Sequence, residues 1–148
     1  MVKTSKFLKS GLLRSVAERV RTFLEDAESF FERGRSELEE GIKRGDQYMI
    51  RDVAEKLWNA VVNTANALIL HFLGVVPASH WELRKLLEKL EDVVEEAERL
   101  GFRDRYGGRE RYLHEMTFYD GIIDVEMLKR EVEKVRKYID DVKKLTRA

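Results

Sequence analysis

Cysteine is absent from this chain, and its absence removes disulfides, thiolate metal sites and cysteine nucleophiles together. Proline occurs once, at Pro77, so little interrupts long helices. Gln47 is the only glutamine, and the asparagines are confined to positions 59, 63 and 66. A charged chain so poor in thermolabile side chains points toward a thermophile. Neither sign of charge is in excess, since 28 Lys and Arg balance 28 Asp and Glu. That excludes a general polycationic coat for nucleic acid or membranes, so any polyanion site is local. A long hydrophobic run is also missing. The greasiest stretch, 67–77, contains His71 and is too short to span a bilayer. Lys3, Lys6 and Lys9 are followed by no apolar signal-peptide core, and a cytoplasmic location is expected.

What is present is charge and amphipathic periodicity. With 148 residues, 38% charged and 43% hydrophobic, the chain suits one globular domain spanning 1–148, with 1–10 as a flexible lead-in. No segment alternates as a half-buried strand does. Apolar residues recur at helical spacing instead. A first helix carries Leu13, Val16, Val20, Phe23, Ala27 and Phe30, then stops between Gly41 and Gly45. Asp46 caps a second, very apolar helix reaching about Leu73. Ser79 and Glu82 form a capping box that opens a third, with Leu83, Leu86, Leu90, Val93, Ala97 and Leu100. The segment 101–108 reads as a loop, 109–119 as a short helix, and Asp124 as the cap of a final helix. These elements predict an all-α fold, an up-down four-helix bundle with an additional short helix. A tandem helical-repeat array is the structural rival. Its turn between paired helices is present at 45–46, but no second copy follows at that period.

Chemistry concentrates between Arg103 and Gly121, where Arg103, Arg105, Arg109 and Arg111 precede His114 and alternate with Tyr106, Tyr112, Phe118 and Tyr119. On an α-helix His114 shares a face with Arg111 and Glu110. Imidazole titrates near neutrality and can move the proton of a ribose 2′-hydroxyl. Guanidinium holds phosphate in a bidentate fork. His114 as general acid/base and Arg109 as phosphate clamp supply the parts for metal-free RNA cleavage. Arg105 and Arg111 would steer substrate, and Tyr112 or Tyr119 would stack a base or orient the histidine. The plainer reading makes His114 a half-buried helix histidine bonded to Glu110, among solvated arginines.

Asn59, Asn63 and Asn66 fall at i, i+4 and i+7, one uncharged stripe on a chain that otherwise solvates itself with charge. Amides are cheaper to desolvate than ions, so the stripe suits a subunit or helix contact, or the wall of a polar pocket. No metal and no cofactor are expected. No histidine has a glutamate three residues before it, as a di-iron bundle needs, and Phe118 stands where a second zinc-binding histidine would be. His71 and His80 read as structural or capping residues, and Trp58 and Trp81 as core or interface aromatics.

The segment 35–67, with LHEMTFYDG at 113–121, resembles the archaeal PaREP family, whose members are small helical bundles placed in the HEPN superfamily of nucleotide-binding proteins. The Gly45-Asp46 turn, the run from Ala54 to Trp58 and the segment from His114 to Tyr119 carry the resemblance. It implies a helical bundle, often a homodimer. In nuclease members an arginine precedes a histidine by a few residues near the dimer interface, and Arg109 and His114 fit that spacing. Glu110 supplies the polar residue that often follows such an arginine. Met116 stands where many members have a tyrosine, and the motif precedes the last long helix. The resulting expectation is an RNA- or nucleotide-binding protein with metal-independent ribonuclease activity. The alternative is a non-catalytic bundle that pairs with itself or with a nucleotidyltransferase.

Overall fold

The computed structural model describes residues 2–147, apart from the side chains of residues 2–10 and 12–14. Helix α1 (Val2–Arg44) runs into the turn at Gly45 and returns as α2 (Gln47–Leu73). The Asp46 side chain accepts from Met49 N–H and caps α2, as the sequence predicts. The two helices approach closely because glycine allows it. A Cβ on Gly34 would stand 2.9 Å from Leu57 Cδ2. Residues 2–10, expected as a flexible lead-in, continue α1 without a break. Met1 and Ala148 lie outside the described residues.

Helix α2 is the centre of the molecule. Leu57, Trp58, Val61, Ala65 and Leu68 are buried, so it is covered on most of its circumference, and α1, α6 and the 109–119 region pack around it. Helix α3 (His80–Val93) begins at Ser79, whose hydroxyl accepts from Glu82 N–H. The third helix of the sequence reading is in fact two. Val94 is extended, and α4 (Glu95–Leu100) restarts after it. The break turns Val94 onto the core and leaves Val93, expected inside, exposed.

The expected loop 101–108 is also helical, as α5 (Phe102–Arg109). Gly101, with φ 66°, ends α4 and lets the chain turn into α5. Phe102, Tyr106 and Arg109, at i, i+4 and i+7, are buried along one face. Their packing outweighs the low helix propensity of Gly107 and Gly108. Next comes a π-helical segment (Glu110–Tyr119), then α6 (Val125–Thr146), capped by Asp124 as expected. Among the described residues there is no strand, and no helix is long and apolar enough to cross a membrane.

Long-range ion pairs tie α6 to α1. Arg136 donates to both oxygens of Glu28 at 2.8 and 2.6 Å, and its guanidinium lies 4.7 Å from the Phe31 ring centre. Lys143 reaches the same carboxylate at 2.5 Å.

Candidate functional site

The π-helical segment decides which side chains meet. Its i→i+5 bonding makes neighbours of residues four and five apart rather than three and four. Two such bonds are Asp120 N–H to Glu115 C=O at 2.9 Å and the Thr117 hydroxyl to Tyr112 C=O at 2.8 Å. Arg51 on α2 donates to the carbonyls of Phe118 and Tyr119 at 2.5 and 2.8 Å, pinning the end of the segment to the core. Under this geometry His114 faces Phe118 and Tyr119, with ring centres 6.3 and 5.2 Å away. The three-residue spacing that aligns Arg111 with His114 on an α-helix is lost. Arg111 points into solvent and pairs with Glu115 at 3.3 Å.

His114 itself is half-buried. Its ring stacks on Trp58 at 5.6 Å, and Nδ1 lies 3.0 Å from a carboxylate oxygen of Glu55, not against Glu110. A carboxylate only accepts, so Nδ1 carries the hydrogen of that bond. In the neutral ring Nε2 then keeps its lone pair, the form a general base needs. His80 joins the cluster with its ring 6.2 Å from His114 and 6.0 Å from Trp58. Its Nδ1 is 3.4 Å from the Tyr106 hydroxyl, whose own ionisation burial pushes well above the ordinary tyrosine range.

Arg109 is not in this cluster, which corrects its expected role as a phosphate clamp. Its guanidinium is fully engaged with Glu131 on α6 and with the Arg105 carbonyl at 3.2 Å. A fork closed on a buried carboxylate has no bidentate face left for phosphate. Arg105 is likewise held inward. It contacts Asp141 at 3.0 Å and lies over the Phe102 and Tyr138 rings at 5.4 and 5.2 Å, which leaves it unsuited to steer a substrate. Tyr112 is exposed and so is Tyr119, but only Tyr119 touches His114. Of the expected catalytic and binding residues, the structure brings together His114 and Tyr119. Among the described residues no group of three or more histidine or acidic side chains is placed to hold a metal ion.

The asparagine stripe divides. Asn63 donates to the Asn59 carbonyl at 2.8 Å, an internal helix bond. Asn66 instead lines a cavity of about 270 Å³ with Val62, Pro77, Ser79, His80 and Leu83, and its buried Oδ1 has no partner.

A larger cleft of about 450 Å³ opens between α3 and α5. Trp81 stands at its edge, 65% exposed, which corrects its expected place in the core or an interface. Arg84, Lys85 and Arg103 surround it, and Lys85 Nζ lies 6.0 Å from the indole centre. Arg84 also pairs with Glu110 at 2.8 Å, while Lys85 and Arg103 approach Glu88 only at 3.7 and 3.8 Å. The largest cavity, about 560 Å³, lies between α1, the end of α2 and α6, and contains none of the expected residues.

Sequence reasoning overlooked Glu55, His80 and Trp81. Glu55 and His114 are 59 positions apart, so no local spacing joins them. His80 and Trp81 carried one usable signal. They are consecutive at the start of a capped helix, so one faces the bundle and the other cannot. No protein-family model, curated protein or solved structure matches the chain.

Proposed function

We propose that this chain binds RNA or a nucleotide on the surface formed by the start of α3, α5 and the π-helical segment. The observation that carries this is the exposed Trp81 indole in a cleft beside Arg84, Lys85 and Arg103. A flat aromatic face among cations is the pairing that single-stranded nucleic acid uses, with the base stacked and the phosphate neutralised. We also propose a HEPN-like bundle of the archaeal PaREP kind, supported by the all-helical fold and the residues of the resemblance.

Cleavage is a narrower proposal and rests on His114 alone. Glu55 orients the ring, and Nε2 would take the proton of a 2′-hydroxyl. Arg109 has no part in it, so the charge on the phosphate would be met by the cations of the Trp81 cleft.

Binding of single-stranded RNA in EDTA, followed at low and high salt, tests the proposal. The expected result is affinity that falls steeply with salt and drops by about 10- to 100-fold in Trp81→Ala, the worth of one stacked base. For cleavage, His114→Ala must abolish product formation. An equally active variant removes the histidine mechanism.

An interaction bundle without chemistry is the alternative, favoured by the exposure of Tyr48, Tyr119 and Ile122. Arg51, one turn after Tyr48, bonds the Tyr119 carbonyl, so Tyr48 and Tyr119 belong to one region. A second copy of the chain or a nucleotidyltransferase would cover it. Failure to bind RNA even in low salt decides for this alternative.

A further inference from the structure

We infer that the cavity holding Asn66 seats an adenine-type base, next to a neighbouring base stacked on Trp81. The inference rests on the nucleotide-binding proposal and deepens it. The cavity is small, about 270 Å³, just below the range of drug-sized sites. A single heteroaromatic ring suits it better than a whole dinucleotide. Its walls are apolar on both sides, with Val62 from α2 and Pro77, Ala78 and Leu83 from the α2–α3 connection and α3. Apolar walls accept the faces of a flat ring.

The polar groups lie where the edge of the ring would be read. Asn66 Oδ1 is buried and accepts nothing from the protein. Native interiors rarely leave such an atom unpaired, and those that do invite a specific reason. Water satisfies it in the empty cavity and leaves when a ring with a matching donor enters. An asparagine amide pairs in two directions with adenine, accepting from the exocyclic amine and donating to the adjacent ring nitrogen. The Ser79 hydroxyl accepts from Glu82 N–H at 3.1 Å and keeps its own hydrogen to donate.

Position in the fold connects this cavity to the proposed RNA surface. His80 lines the cavity and also lies beside His114, while Trp81, the next residue, borders the cationic cleft. The first turn of α3 therefore separates two compartments one residue apart in sequence. A sugar-phosphate backbone crossing that turn would leave one base with Asn66 and the next on Trp81. His80 and His114 would flank the crossing.

The test compares short oligoadenylate with oligouridylate by fluorescence anisotropy, using the wild-type chain and Asn66→Leu. The wild type is expected to prefer adenylate by about tenfold. Asn66→Leu should lose the preference yet keep salt-dependent binding. It should melt no lower than the wild type, because leucine removes an unpaired buried acceptor. Oligomers of N6,N6-dimethyladenine, which lack the amino donor, should bind the wild type no better than uridylate, a check independent of how the variant folds. Equal affinity of the wild type for adenylate and uridylate, or an unchanged preference in Asn66→Leu, overturns the base site while RNA binding stands. If no oligomer binds at any salt concentration, the nucleotide-binding proposal fails. Free adenosine then decides for the cavity by itself. A thermal shift in the wild type that Asn66→Leu lacks supports it, and no shift overturns it.

Discussion

Arg109 and Glu131 form a two-pronged ion pair between α5 and α6, with N···O distances of 2.5 and 3.1 Å and side chains 8% and 1% exposed. Such a pair fixes how two helices meet, and each charge depends on the other. Removing one partner leaves the other buried and uncompensated, a loss of about 3–5 kcal/mol. Arg109→Met or Glu131→Leu alone should therefore destabilise strongly in urea denaturation. The double variant, which replaces both charges by hydrocarbon, should recover most of the loss. Two additive losses would show that the residues do not act as a pair. A phosphate clamp, by contrast, would be removed with little effect on stability.

Stability should depend on acid through Glu28. Hydrogen bonds from Arg136, then Lys143, hold its carboxyl at about 2, against an ordinary value of 4.5, although burial opposes them. A carboxylate with a depressed folded-state value stabilises fully above the unfolded value. That contribution fades as pH falls from about 4.5 toward 2. Melting temperature should decline through this window in the wild type, and the decline should be shallower in Glu28→Gln. Identical acid profiles for the two proteins would remove Glu28 from the account.

Two glycines should respond in opposite directions to the same change. Gly108 is inside the helical region, and a Cβ there meets nothing within 4 Å. Gly108→Ala should raise stability by about 0.5–1 kcal/mol, or about 2–4 °C per kcal/mol in melting temperature. Gly34→Ala would place its Cβ 2.9 Å from the buried Leu57 and should lower stability, since overpacking costs about 1–3 kcal/mol and outweighs the helix gain. Thermal melts of the two variants make the comparison directly.

In the proposed RNA surface, Lys85 and Arg103 are the cations with the loosest internal partners. If each neutralises one phosphate, Lys85→Ala and Arg103→Ala should each reduce the salt slope of single-strand binding by about 0.7. Slopes matching the wild type would place the phosphates elsewhere.

The helix ends were legible wherever a local signal acts locally. Asp46, Ser79 and Asp124 cap the helices they were expected to cap, because a cap needs only the next few residues. The same local logic misread 101–108. Gly107 and Gly108 suggest a loop, yet Phe102 and Tyr106 gain enough by packing on Tyr138 and Trp58 to keep the segment helical. For the site, the histidine and its aromatic company were visible, but its face was not. An α-helical period allies His114 with Arg111, and the π-helical period allies it with Phe118 and Tyr119.

The sequence by itself determined that this chain is helical, which helix is most apolar, and where most helices begin, since periodicity and caps are short-range properties. Only the tertiary structure decided which charges are free. Arg109 and Arg111 differ by two positions, yet one is locked against Glu131 and the other lies in water. That difference depends on α6, whose approach across the core no local pattern encodes.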